Sequence, residues 1–241
     1  MRIRCGIAAI ILGLSAMAAC AQEEVKVTGR VVDSAGEPVA GAELATFWIA
    51  EGTERMRPLK SASTNADGRF ALSMTFYGRG ETLLALDKER KTGGLIVVEP
   101  KEAAKPLKIK LAPLVRVHGQ FFCKDLNRRP EWTNVYMKAS AMPILQCSSD
   151  KATFSFLLPP GKYKFWGYGT DIQDLKKDIT LNAGEPDLDL KSIDMPATII
   201  ARHKGKAPPA WHVTDARGVK KDVKIADFKG KWVLLEFWGY W

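Results

Sequence analysis

The chain holds four cysteines and three histidines in 241 residues, and their spacing limits the chemistry open to them. Cys123 and Cys147 are not in the Cys-x-x-Cys spacing that dithiol exchange uses. In an exported chain they are expected to close a structural disulfide, worth about 3–3.5 kcal/mol in the chain-entropy account; two buried thiols are the alternative. His118, His203 and His212 lack the closely spaced His or Glu partners of a metal site, and no metal is expected; His118 suits a strand edge or a core. Asn65-Ala66-Asp67 lacks the further acidic ligands and closing Glu of a calcium loop, so it reads as a turn. Trp132, Tyr136, Phe165, Trp166 and Tyr168 could form a platform for sugars or peptides, or fill a core. Glu236 is the one carboxylate in the apolar run from Trp232 to Trp238. A buried acid there is costly unless it has a partner or a task.

The segment that decides where this chemistry would operate is the first twenty residues. Arg2 and Arg4 precede an uncharged stretch from Gly6 to Ala19, too short for the roughly 20 residues of a spanning helix. It ends in Met17-Ala18-Ala19-Cys20-Ala21, small residues of the kind that precede a signal cleavage site. The same ending resembles the lipobox of bacterial lipoproteins, which implies lipidation at Cys20; cleavage near Ala21 is the alternative. Either way the chain is expected to be exported, to a periplasm or cell envelope. Elsewhere the apolar runs are short, which excludes a polytopic membrane protein. With 46% apolar and 26% charged residues, wholesale disorder is excluded too. Removing Arg2 and Arg4 lowers the net charge from +9 to +7. The remaining basic residues are scattered singly, as a solvated surface would have them, and no nucleic-acid partner is expected.

From Val25 the pattern is one of short strands and turns. Strands are expected at Val25–Val32, within Ala42–Ala50, and over Arg69–Met74, Thr82–Leu86, Leu95–Val98 and Leu107–Leu111. Asn65-Ala-Asp-Gly68 is a hairpin signal, because Gly supplies the positive φ of a tight turn. The pattern then recurs at an offset of 80 to 90 residues: Val115–Phe122 echoes Val25–Val32 with the glycine in register, Thr153–Phe156 echoes Arg69–Leu72, and Leu188–Leu190 echoes Leu107–Ile109. Short strands at regular intervals predict a mainly β fold of two tandem sandwiches.

Val27 to Ala42 reads Val-x-Gly-x-Val-x-Asp-x-x-Gly-x-Pro-Val-x-Gly-Ala, and Thr64 to Phe70 reads Thr-x-x-Asp-Gly-x-Phe. On these residues the first copy resembles the carboxypeptidase regulatory-like domain, a transthyretin/Ig-like sandwich. The second copy resembles the collagen-binding B-type sandwich through Leu158-Pro-Pro-Gly-Lys-Tyr163. The resemblances imply folds suited to spacing, docking or adhesion, and no shared chemistry. The expected divisions are a signal over 1–20, sandwiches over 25–112 and 113–196, a linker over 197–210, and a last unit over 211–241.

In that last part, Lys206-Ala207-Pro208 follows Lys204-Gly205, Asp227-Phe-Lys-Gly-Lys231 reads as a hairpin, and Val233-Leu-Leu-Glu-Phe-Trp-Gly-Tyr-Trp241 reads as a strand covered on both faces. These residues resemble the start of the α/β thioredoxin-like fold, in the branch of exported thiol-disulfide oxidoreductases and thiol-specific antioxidant redoxins. The resemblance implies that Cys-x-x-Cys follows Trp241. It implies that Glu236 is the buried acid relaying the proton of the resolving thiol, and that Trp238 and Trp241 shield the sulfurs and shape a substrate-docking surface. Pairing of Glu236 with Lys229 or Lys231 is the alternative. No cofactor is implied. The partners implied are thiol or disulfide proteins, or a membrane reductant, and the Trp-x-x-Trp pattern favours disulfide reduction over peroxidase chemistry. The expectation is a fragment of an exported oxidoreductase carried on sandwich spacers, lacking the catalytic cysteines itself. The competing expectation is a non-enzymatic envelope lipoprotein that binds a surface polymer or protein through its sandwiches.

Overall fold

A computed structural model describes residues 23–51, 55–207, 210, 215, 217–218, 220–234 and 236. The chain first runs through β1 (Glu23–Val32), β2 (Glu43–Ala45), β3 (Trp48–Glu51), β4 (Arg55–Pro58), β5 (Ala62–Ser63), β6 (Arg69–Phe76), β7 (Glu81–Leu86), β8 (Thr92–Val98) and β9 (Leu107–Lys110). A short β10 (Ala112–Pro113) leads to β11 (Val115–Phe122), β12 (Thr133–Lys138), β13 (Pro143–Ser149), β14 (Thr153–Leu158), β15 (Gly161–Gly169), β16 (Ile172–Leu181) and β17 (Asp187–Asp194). The helix α1 (Ile199–His203) follows.

The internal repeat is a repeat of topology. In one three-stranded sheet β1 pairs antiparallel with β6 and parallel with β9; in another β11 pairs antiparallel with β14 and parallel with β17. The facing sheets share the order β8-β7-β2-β5 and β16-β15-β12-β13. The glycines in register have a packing reason. Gly29 stands opposite Phe70 and Gly119 opposite Phe154. A Cβ at Gly29 would come within 2.7 Å of Phe70 Cζ, and one at Gly119 within 2.8 Å of Phe154 Cζ. Each ring lies across the backbone that its glycine leaves bare.

The paired motifs of the first copy are explained by contacts between them. Thr64 Oγ1 donates to the Val39 carbonyl at 2.6 Å and accepts from the Ala42 N–H at 2.9 Å, which fastens one motif to the other. Asn65 Oδ1 accepts from the N–H groups of Asp67 and Arg69, and Gly68 takes φ +71°. This turn is tight, yet it does not make the expected hairpin: β5 pairs with β2 in one sheet and β6 with β1 in the other. Turn chemistry fixes the reversal of the chain but not the partner of the strand that leaves it. In the second copy the Tyr163 hydroxyl donates to the Pro159 carbonyl at 2.8 Å, so the Leu-Pro-Pro-Gly-x-Tyr motif ties the start of β15 to the turn before it.

The first copy carries an insertion that the second lacks. Between β2 and β5, the apolar run Ala42–Ala50 breaks at Thr46-Phe47, and β3 and β4 form a hairpin that leaves its own sandwich. β3 pairs in parallel with β13, with Trp48 opposite Leu145 and Cys147 opposite Ala50. The second sandwich's larger sheet thereby becomes six-stranded, β16-β15-β12-β13-β3-β4. The hairpin covers the edge of β13, an edge that would otherwise present unpaired backbone groups.

The cores follow the same arrangement. Val27, Val31, Leu44, Phe70, Met74 and Leu83 belong to the first core. Leu84, Leu86, Trp48, Ala50 and Met56 are packed instead with Phe121, Phe154, Phe156 and Phe165 in the second. Every residue of β7 is buried, because its two faces serve different cores. Its continuous run Thr82-Leu-Leu-Ala-Leu86 is the sequence form that two-faced burial requires. The span expected as a linker contains α1, capped by Thr198 Oγ1, which accepts from the Ala201 N–H at 3.1 Å.

Candidate functional site

Of the residues that the redox expectation singles out, Glu236 is among the described residues. Cys20, Trp238 and Trp241 lie outside the described residues. Ile225–Phe228 forms one 3-10 turn, with Asp227 Oδ2 accepting from the Lys224 N–H at 2.9 Å. The covered strand expected from Val233 does not appear over the residues described there. Lys231–Leu234 has no regular structure, Trp232 and Leu234 are fully exposed, and Glu236 is exposed as well. A strand of this kind is held by neighbours on each side, and among the described residues none lies beside it.

The expected Cys123–Cys147 disulfide is likewise not formed; both are buried thiols. Cys123 follows β11 and Cys147 lies on β13, so they belong to opposite layers of one core.

His118 sits on the outer face of β11 among charges rather than in a core. Its Nε2 lies 2.9 Å from Asp187 Oδ2, and its Nδ1 3.7 Å from Asp189 Oδ1. Arg116 Nε donates to Asp187 at 2.8 Å, and Lys191 Nζ to Asp189 at 2.6 Å. The hydrogen bond from His118, with that from Arg116, holds the Asp187 carboxyl below its ordinary range; Lys191 does the same for Asp189. Among the described residues no group of three or more His, Cys, Asp or Glu could hold a metal ion. His203 ends α1, and His212 lies outside the described residues.

The aromatic residues do converge, with one exception. β12 and β15 are neighbours, and alternation sends Val135, Met137, Tyr163 and Phe165 into the core. The opposite face receives Asn134, Tyr136, Trp166 and Tyr168. Tyr136 and Trp166 are register partners with ring centroids 5.6 Å apart; Trp166 and Tyr168 are 5.3 Å apart, and Tyr136 and Tyr168 6.1 Å. Trp132 meets Tyr168 edge-on at 5.7 Å and is 41% exposed. Phe165 is the exception: it packs with Phe121 and Phe154 inside. Burial, with the adjoining Tyr168 hydroxyl, holds the Tyr136 phenol in its neutral form to higher pH than usual.

Polar groups fix these rings. Asn134 is wholly buried, donates Nδ2 to the Tyr168 hydroxyl at 2.9 Å and accepts from Ser148 Oγ at 2.7 Å. Trp166 Nε1 donates to Asp174 Oδ2 at 3.0 Å. The ammonium groups of Lys138 and Lys176 each lie 5.3 Å from the Trp166 ring centre. The five aromatics were visible in the sequence as a group, but the lysines and Asn134 were not; period-2 alternation on β12 and β15, read with their pairing, is the signal that would have found them.

These features define a mainly β protein of two fused sandwiches with an ordered aromatic face. No family model matches the chain, and no curated protein does. Among solved structures it is similar to the Bacillus anthracis TIE protein, at 11% identity over 72% of this chain and 34% of that one, with a TM-score of 0.30. It is similar to a streptococcal ancillary pilin at 12% identity over 73% of this chain and 63% of that one, with a TM-score of 0.34. The shaft pilin SpaA of Lactobacillus rhamnosus GG matches at 8% identity over 74% of this chain and 98% of that one, with a TM-score of 0.28. The chain thus spans about a third of the TIE protein and under two thirds of the ancillary pilin. Among the described residues no helix is long and apolar enough to cross a membrane.

Proposed function

We propose that the chain is the carrier part of an exported thiol-disulfide oxidoreductase, in which two joined sandwiches hold a thioredoxin-like domain away from a membrane. The observation that supports this reading is the ordered series Lys206-Ala-Pro208, Asp227–Lys231 and Val233–Trp241. In such a domain a thiolate at a helix N-terminus attacks a substrate disulfide and releases one substrate sulfur as a thiolate. The second cysteine then attacks the mixed disulfide, frees the reduced substrate and leaves the enzyme oxidised; a thiol or membrane reductant resets it. Glu236 takes the proton of the resolving thiol, and Trp238 and Trp241 flank the sulfurs. Reading the gene past codon 241, with the intact mass of the native protein, tests this. Cys-x-x-Cys directly after Trp241 is the expected result, and a stop codon there overturns the reading. Mass spectrometry of the mature N-terminus would show a diacylglycerol adduct on Cys20 if the anchor is a lipid.

A second reading, that the sandwiches themselves bind an envelope polymer or protein, is favoured by the half-buried aromatic cluster on the outer face of β12 and β15.

A further inference from the structure

The aromatic face carries a more specific inference, and it is independent of the redox reading. Rings of this size normally bury against a core or a partner; here Tyr136, Trp166 and Tyr168 lie side by side on the outer surface of a sheet whose inner surface already forms the core. They do not need a ligand to order them, because Asn134 and Asp174 already hold Tyr168 and Trp166 by hydrogen bonds. A surface set before binding loses little freedom on binding.

Charge says what the surface would take. Lys138 and Lys176 flank Trp166, and with Lys164, Lys177 and Asp178 they border a hollow of about 440 Å³ beside the ring. Sugar rings offer C–H faces that rest on aromatic rings, hydroxyl groups that bond to carboxylates and amides, and, in uronic acids, a carboxylate for an ammonium group. We infer that this face binds an anionic polysaccharide of the polyuronate class, with Trp166 as the stacking platform and Lys138 and Lys176 as the carboxylate partners. Asp174 and Asp178 can accept hydrogen bonds from sugar hydroxyls, which the deoxyribose of a DNA strand lacks. Single-stranded nucleic acid also uses aromatic and basic residues, so oligothymidylate is the competitor in the test.

The test is tryptophan fluorescence titration of the full chain with polygalacturonate, dextran, polyglutamate and oligothymidylate. Polygalacturonate should bind tightest, and more weakly as salt rises. Trp166→Ala should weaken binding about tenfold, the scale of one lost ring contact, and Trp166→Phe should restore part of it. The double variant Lys138→Gln/Lys176→Gln should weaken binding several-fold and flatten the salt dependence. Each variant should still melt in one cooperative transition, Trp166→Ala at a somewhat lower temperature because its ring contacts with Tyr136 and Tyr168 are lost. Equal binding of dextran, polyglutamate or oligothymidylate, or full affinity in both variants, would overturn the inference.

Discussion

Trp48 of the first sandwich is the strand-register partner of Leu145 of the second. Both are buried in one core, and the ladder between them is parallel, so the strands cannot form a simple two-residue hairpin. Above the indole lies Arg90, 4.9 Å from the ring centre and ion-paired with Glu43. Thr82 and Ser140 add a hydrogen bond of 2.8 Å from β7 to the loop after β12. The two copies are thus joined by a strand ladder and a common core.

Trp48→Ala should therefore destabilise both sandwiches together. Removing a fully buried Trp costs about 3–5 kcal/mol. Chemical denaturation should show one transition in the natural protein, shifted as a whole in the variant. Two separate transitions, with only the first moved, would contradict the shared core.

Gly29→Ala and Gly119→Ala should each cost about 1–3 kcal/mol through overpacking. The remedies should differ. At Gly119 the nearest obstacle is the Phe154 ring, so Phe154→Leu should recover part of the loss. At Gly29 the Leu107 carbonyl also crowds the added carbon, and Phe70→Leu should recover less. Double-mutant cycles measure both couplings.

Tyr163→Phe removes a buried hydrogen bond and leaves the Pro159 carbonyl without that donor, at a cost of about 1–2 kcal/mol. Burial raises the Tyr163 pKa above its ordinary value. The unfolded chain then releases the phenolic proton first as pH rises, so the stabilisation is complete below about pH 10 and is lost above it. Melting temperatures from pH 8 to 11 should fall less steeply in the phenylalanine variant. Equal slopes would remove Tyr163 as the cause.

Cys123 and Cys147 should resist a thiol reagent in the native protein and both react in guanidinium chloride, since each is a buried thiol. Failure to react even after unfolding would show that the pair has been oxidised.

Trypsin should cut first among Lys220, Lys221, Lys224, Lys229 and Lys231, all exposed and outside any strand. Strands 23–194 should survive that treatment. Equal resistance throughout would mean that the last segment is packed in solution.

Much of the fold was legible because strand signals are local. β1, β6, β7, β9, β11 and β14 lie where alternation and the repeat place them, and the glycine register is a direct trace of the rings above Gly29 and Gly119. Partner choice was not legible. The Asn65–Gly68 turn specifies a reversal but sends its strands to different sheets, and the Ala42–Ala50 run conceals a bend after which Trp48 leaves its own core. The aromatic cluster was visible as composition, while its division into an outer face and the core residue Phe165 depended on pairing between β12 and β15. Residues 197–210 gave little warning of α1, which is five residues long and exposes Ile199 and Ile200.

The inserted hairpin also makes the pair directional. The first copy donates β3 and β4, and the second receives them along β13. The second copy's own connection between β12 and β13 spans only residues 139–142, too short to offer a hairpin in turn. A third sandwich of the same kind placed after β17 would find no donor in the second copy, whereas β5, the first copy's counterpart of β13, remains an edge strand. Giver and receiver are therefore distinct, and the tandem can be extended in this way from one side alone.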